Sequence, residues 1–103
     1  MKQTGRALPQ AEESEKLAQL FKALGDASRL KVLFHILSAE ACVSEIAQSL
    51  QMSESSISHH LRVLRMNNLV RRRREGKEVL YQLDDSHVQS ILEQGRGHAE
   101  ESM

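Results

Sequence analysis

Four side chains near the end of this 103-residue chain are of the kinds that bind divalent cations: Asp85, His87, His98 and Glu101. Nitrogen and oxygen donors without a thiolate suit zinc or cobalt in a tetrahedral setting, suit nickel less well, and argue against softer ions. His98 follows His87 by eleven positions. On a helix that is about three turns, so the two rings lie within roughly 20° of each other on one face but about 16 Å apart along the axis. A zinc to nitrogen bond spans about 2 Å, and one chain alone cannot close such a site. Two copies of the helix packed antiparallel about a twofold axis would bring Asp85 and His87 of one subunit to His98 and Glu101 of the other, giving two four-ligand sites per dimer. His98 and Glu101 stand at i, i+3 and are neighbours on any helix. Asp85 and His87 stand at i, i+2 and converge only if Asp85 sits at the helix cap. The plainer alternative is four solvated polar residues beside an apolar stripe, and spacing alone favours it.

A second constellation lies mid-chain. Ser55, Ser58, His59 and Arg62 recur at i, i+3, i+4, i+7, the spacing of one helical face, while Ile57, Leu61 and Leu64 occupy the opposite face. Small hydroxyls, an imidazole and a guanidinium on one face can donate to base edges and phosphates in a major groove. Most surface helices also carry a solvated polar face, so the pattern gains meaning from the basic residues on its C-terminal side. Of the 14 Lys and Arg residues, seven fall between Arg62 and Lys77: Arg62, Arg65, Arg71, Arg72, Arg73, Arg74 and Lys77. Glu75 is the one acid in that stretch. From Glu78 onward the balance reverses, with acids at 78, 84, 85, 93, 100 and 101 against Arg96 alone. The formal net charge of zero therefore hides a basic middle suited to a polyanion and an acidic end suited to cations.

The elements that must position these groups follow from periodicity. Met1 to Gln10, with Gly5 and Pro9, reads as a flexible arm, and residues 11–101 as one folded unit. Leu17, Leu20, Phe21 and Leu24 form an amphipathic stripe that Gly25 ends; Asp26 to Ser28 then cap a second helix with the stripe Leu30, Leu33, Phe34 and Leu37. Val43, Ile46, Ala47 and Leu50 make a short third helix, and Ser53 is the N-cap of a fourth, so the two form a helix-turn-helix. Beyond Asn68 the period drops to two: Leu69 to Arg74 and Val79 to Leu83 read as strands around turn residues Glu75-Gly76-Lys77. Alternation lets two of the four consecutive arginines face DNA at once, assigned to Arg72 and Arg74, with Lys77 near the tip. An arginine-rich edge strand also guards against aggregation, a role compatible with DNA binding. Asp84 and Asp85 cap a fifth helix with the stripe Val88, Ile91, Leu92 and Gly95. Gly95 and Gly97 each cost about 1 kcal/mol relative to Ala, so that helix is expected to fray after Gln94 unless metal or close packing holds it. The fold class expected is mainly α with a small β-hairpin, a winged helix-turn-helix.

Composition excludes several classes. Aromatic residues make up 3% of the chain and Trp is absent, so the core is aliphatic; 27% charged and 40% hydrophobic residues are ordinary for a globular protein. No apolar run approaches the roughly 20 residues of a membrane span, and no signal peptide precedes the first helix, so a cytoplasmic protein without a membrane partner is expected. The single cysteine, Cys42, cannot form an intrachain disulfide. A small zinc hydrolase is disfavoured: there is no nucleophile elbow or Gly-rich loop, and four protein ligands leave no position for a small organic substrate.

Phe21 to Leu30 (FKALGDASRL), Ser53 to Leu64 (SESSISHHLRVL) and the Gly76 hairpin through Tyr81-Gln-Leu-Asp-Asp together resemble the ArsR/SmtB family of metal-responsive repressors, over about four-fifths of the chain. The resemblance implies a homodimer joined through its first and last helices and bound to an imperfect inverted repeat of operator DNA. It maps the groove-reading residues onto Glu54, Ser55, Ser58 and His59. It also favours metal binding over simple solvation at Asp85, His87, His98 and Glu101, because this pattern is the last-helix zinc site of zinc- and cobalt-responsive members. It further implies that His98 signals through its second ring nitrogen to the backbone near Asn68. Zn(II) is then the expected regulatory ligand, with Co(II) next and Ni(II) behind, since only Ser102 and Met103 follow Glu101. Other members use a Cys-x-Cys site on the third helix; here Cys42 is followed by Ser44, and that site is incomplete. The alternative is a repressor of the same fold with a non-metal effector, such as oxidation of Cys42.

Overall fold

A computed structural model of the chain describes residues 7–103. The elements run α1 (Ala11–Leu24), α2 (Ala27–Ser38), α3 (Val43–Leu50), α4 (Glu54–Met66), β1 (Val70–Glu75), β2 (Glu78–Leu83) and α5 (Ser86–Glu101). Most of the expected arm, residues 1–6, lies outside the described residues, and Ala7 to Gln10 are exposed and non-helical.

Local chemistry sets each boundary. Gly25 donates its N–H to the Lys22 carbonyl at 3.2 Å as α1 ends. The Arg29 guanidinium reaches back to donate to the Ala23 carbonyl at 2.7 Å, satisfying one of the acceptors a helix end leaves open. Asp26 caps α2 by accepting the Arg29 N–H at 3.0 Å. Cys42 is the N-cap of α3, where the Glu45 carboxylate accepts the Cys42 N–H at 3.0 Å in a capping box. α3 stops at Gln51, which is left-handed at φ 57°. Ser53 then caps α4 by accepting the Ser56 N–H at 3.0 Å.

The core is aliphatic. Val32 and Leu33 of α2, Ile46 of α3, Ile57, Leu61 and Leu64 of α4, and Leu69 and Val70 at the root of the hairpin are all fully buried. β1 and β2 pair antiparallel with Val70 opposite Leu83, Arg72 opposite Tyr81 and Arg74 opposite Val79. Ala41 adds one antiparallel bridge to Tyr81 on the other edge of β2. No helix among the described residues is long and apolar enough to cross a membrane.

Four expectations are corrected. β1 begins at Val70 rather than Leu69, because Leu69 still belongs to the turn that leaves α4, its N–H donating to the Leu64 carbonyl at 2.9 Å. The turn is the pair Gly76-Lys77, with Gly76 at φ 62°, and Glu75 is paired within the ladder. Leu80 and Tyr81 are both buried although they face opposite sides, since the hairpin is covered on both faces at that level. α5 runs unbroken through Gly95 and Gly97 to Glu101 instead of fraying after Gln94. Close packing within the chain does not account for those glycines, for nothing lies within 4 Å of an added Cβ at either one.

The first and last helices are thinly anchored. α1 buries only Ala23 and Leu24, and α5 only Val88 and Leu92. Leu17 and Phe21, on the apolar stripe of α1, are 43% and 57% exposed. In α2 the fully covered residues are Val32, Leu33 and Ile36, and Leu30, Phe34 and Leu37 are only half-buried, because α1 and α5 leave that side of the helix open.

Replacing Ser53 by Ala should cost about 1 kcal/mol and loosen the first turn of α4. A lowered urea midpoint with faster amide exchange at Ser55 and Ser56 is the expected result; an unchanged midpoint would show that the cap contributes nothing.

Candidate nucleic-acid interface and last-helix donors

α4 is held from one side only. Ile57, Leu61 and Leu64 are at most 1% exposed, and this fastens the helix by a single apolar stripe. Glu54, Ser55, Ser58, His59 and Arg62 are all exposed on the rest of its surface. The tight link Gln51-Met52-Ser53 sets its angle to α3, with the Met52 N–H donating to the Ala47 carbonyl at 3.0 Å.

His60, the neighbour of His59 in sequence, turns away from that surface. Its ring centroid stands 6.0 Å from that of His59, and its buried Nδ1 has no hydrogen-bond partner among the described residues. Burial holds the His60 pKa below the ordinary imidazole value; the Asp26 carboxylate opposes that shift, and Arg29 and His59 add to it. Consecutive residues on a helix point about 100° apart, and that spacing is the one sequence signal that the two histidines differ in role.

In the hairpin all four arginines from Arg71 to Arg74 are exposed. Arg72 and Arg74 lie on one face of β1, and Arg71 and Arg73 on the other. Among the described residues neither Arg72 nor Arg74 is in an ion pair, whereas Arg73 pairs with Glu40 and lies 3.7 Å from Glu75. Lys77 occupies the exposed turn.

The four candidate metal donors divide between the ends of α5. Asp85 is the N-cap, its Oδ1 accepting the N–H groups of His87 at 2.9 Å and Val88 at 3.2 Å. That leaves Oδ2, which lies 3.4 Å from Nδ1 of His87. Two ligands of a tetrahedral zinc, each about 2.0–2.1 Å from the ion, stand roughly 3.3–3.4 Å apart, so this pair has the separation of two zinc donors. Burial pushes the Asp85 carboxyl up, but hydrogen bonds from the His87 ring and from the Val88 and His87 N–H groups, with the His87 charge, outweigh it and leave the group below its ordinary value. His98 and Glu101 are exposed in the last turn of the same helix. Among the described residues of one chain, no three His, Cys, Asp or Glu side chains gather where a metal could be held.

Two bonds shape the stretch between α4, the hairpin and α5. Asn68, left-handed at φ 58°, donates its N–H to the Arg65 carbonyl at 3.0 Å. Asp84, just before α5, donates its N–H to the Leu69 carbonyl at 3.0 Å. Cys42 is buried, and its Sγ lies 3.3 Å from Ser44 Oγ.

A helix-turn-helix whose second helix is exposed along a polar face, followed at once by a basic hairpin, defines a winged helix-turn-helix DNA-binding protein. Residues 26–72 match the family model described as bacterial regulatory protein, arsR family. The chain is 38% identical over 91 residues to the transcriptional repressor SmtB homolog of Synechocystis, covering 88% of this chain and 69% of that one. It is 40% identical over 86 residues to the cadmium resistance transcriptional regulatory protein CadC homolog of Staphylococcus aureus, covering 82% and 71%. The homodimeric winged helix-turn-helix DNA-binding domain Mb0332 of Mycobacterium bovis superposes with a TM-score of 0.86 at 27% identity, covering 96% of this chain and 92% of that one. The chain belongs to the ArsR family of bacterial regulatory proteins.

Acid should destabilise the fold in two stages. His60 favours its neutral form when folded, so its contribution is complete above about pH 6.5 and is lost as pH falls through the depressed folded value. Hydrogen bonds from backbone N–H groups, Arg29 to Asp26 and Cys42 to Glu45, hold these carboxyls below their ordinary values of 3.8 and 4.5. Their contributions are complete above those values and are lost as pH falls further. Urea midpoints followed from pH 8 to pH 3 should show both stages, with His60→Gln removing the upper one; a midpoint flat between pH 7 and pH 5 in the wild type contradicts this.

Proposed function

We propose that this chain is a cytoplasmic, homodimeric transcriptional repressor that binds an imperfect inverted repeat and releases it when Zn(II), or Co(II), occupies two sites shared between the last helices. In this reading α4 enters the major groove with Glu54, Ser55, Ser58, His59 and Arg62, and Arg72, Arg74 and Lys77 bind phosphates or reach the minor groove. Residues 11–101 act as the DNA-binding and dimerisation domain, preceded by a flexible arm. It regulates by binding and turns over no substrate.

The observation that carries the metal reading is the division of donors on α5. Asp85 Oδ2 and His87 Nδ1 lie 3.4 Å apart at one end. The other pair is one helical turn apart in residues 98–101 of the same 16-residue helix. Antiparallel packing of two such helices completes four nitrogen and oxygen donors twice over, each site drawing Asp85 and His87 from one subunit and the other pair from its mate. Dimerisation has an apolar seam available: Phe21, Leu24, Leu30, Phe34, Ile91 and Leu92 line a groove of about 550 Å³ between α1, α2 and α5. The names of the SmtB and CadC relatives, a repressor and a cadmium resistance regulator, agree in kind with a metal-responsive repressor.

A bound zinc ion supplies a rigid bridge between the subunits. Coupling to DNA then runs through this chain's own bonds. Asp85 adjoins Asp84, whose N–H donates to the Leu69 carbonyl, one residue beyond Asn68 and the end of α4, so an ion held by Asp85 would bear on that end of the helix. The second proposed route runs from His98, through its second ring nitrogen, to the backbone near Asn68. By linkage, DNA must weaken zinc binding by the same factor that zinc weakens DNA binding. Oxidation of Cys42 finds no support in its position, which is buried and engaged in the cap of α3.

Titrating Zn(II) into protein bound to a labelled inverted-repeat duplex should weaken DNA binding by about 5- to 150-fold, the usual range of allosteric coupling. His98→Ala should bind the duplex as the wild type does and ignore zinc. Unchanged wild-type affinity in saturating Zn(II) and Co(II) would sink the sensing model while leaving DNA binding intact.

A further inference from the structure

Among four consecutive arginines of β1, Arg73 has a partner 33 residues away in sequence. Its guanidinium grips the Glu40 carboxylate with two nitrogens, one on Oε1 and Nε at 3.4 Å from Oε2. Glu40 immediately precedes Ala41, whose N–H donates to the Tyr81 carbonyl at 3.2 Å and whose carbonyl accepts the Tyr81 N–H at 2.8 Å. Because β1 pairs with one edge of β2 and Ala41 with the other, the Arg73 side chain crosses the hairpin from its outer strand to the segment between α2 and α3. That same segment starts α3, with Cys42 as its cap. Arg73 stands opposite Leu80 in the ladder, on the face away from Arg72 and Arg74.

A guanidinium fork committed to a carboxylate holds a direction as well as a charge, and it is not free to neutralise a phosphate. We infer that Arg73, through Glu40, is the positioning residue of the wing: it orients the hairpin against the start of α3 so that Arg72, Arg74 and Lys77 meet DNA in register with α4, and it makes no phosphate contact itself. The inference rests on the DNA-binding reading above.

The probe is a labelled duplex selected from a random-sequence library by the wild-type protein, with Kd measured across a NaCl series. Loss of one phosphate contact, as expected for Arg72→Ala, makes the slope of log K against log salt shallower by about 0.9. Arg73→Ala should weaken binding about twofold to fivefold, the reach of an exposed ion pair, with the wild-type slope retained. Arg73→Glu should be weaker still, and the exchanged pair Glu40→Arg with Arg73→Glu should recover most of the wild-type affinity. The inference is overturned if Arg73→Ala shallows the slope as Arg72→Ala does, if it leaves affinity unchanged, or if the exchanged pair stays as weak as Arg73→Glu. A wild-type affinity indifferent to salt would instead refute the DNA-binding reading itself.

Discussion

A straight α-helix cannot bring its own ends together, and in α5 that constraint separates two pairs of donors that chemistry would otherwise unite. The helix runs 16 residues without a break, so at 1.5 Å per residue its termini are more than about 20 Å apart. Only Val88 and Leu92 fasten it to the body. What remains is a polar, donor-bearing rod beside an apolar groove, and both features are incomplete in one copy. The groove exposes Phe21 and Ile91 at 57% and 36%, and among the described residues the candidate donors of one chain form no group of three. In the proposed reading one twofold axis answers both needs, so that assembly and ligand binding would be two aspects of a single surface.

The DNA-facing elements depend on a different kind of restraint. α4 is seated by a stripe of aliphatic side chains and capped by Ser53, so its exposed face carries no packing duty. In the hairpin β1 buries Val70 alone, and β2 seats it through Leu80 and Tyr81. Backbone bonds between Ala41 and Tyr81 and the Arg73–Glu40 pair tie the hairpin to the segment between α2 and α3. The wing and the start of α3 therefore share a junction near residues 40–42, while the Asp84–Leu69 bond joins the start of α5 to the segment that leaves α4. α5 thus has a short covalent and hydrogen-bonded connection to the end of α4.

Much of this order is legible in the residues. The stripe of α4 and its cap at Ser53 follow from local pattern and stand where periodicity puts them. Gly25 and Asp26 likewise mark the junction of α1 and α2. Partners distant in sequence are not legible: nothing local marks Arg73 out from Arg72, and its contact with Glu40 exists only once the hairpin folds across the α2–α3 segment. Helical spacing says that Leu17 and Phe21 lie on an apolar face without saying what covers it, and a single chain leaves them exposed. Propensity weighs against the two glycines of α5, and a continuous ladder of helical hydrogen bonds overrides it. The spacing within each pair of candidate donors is readable, because i, i+2 at a cap and i, i+3 on a helix are local; the closure proposed for them spans two subunits and is not.

The most direct test of a shared last-helix site is complementation between two defective subunits. One carries Asp85→Asn with His87→Ala, which keeps a capping side chain at position 85; the other carries His98→Ala with Glu101→Ala. Zinc bound per dimer is measured by equilibrium dialysis for each homodimer and for the purified heterodimer. The account predicts negligible binding by both homodimers and one zinc per heterodimer, since the mixed pair rebuilds a single complete site. A heterodimer as inert as its parents, or a homodimer that keeps both zinc ions, would contradict it.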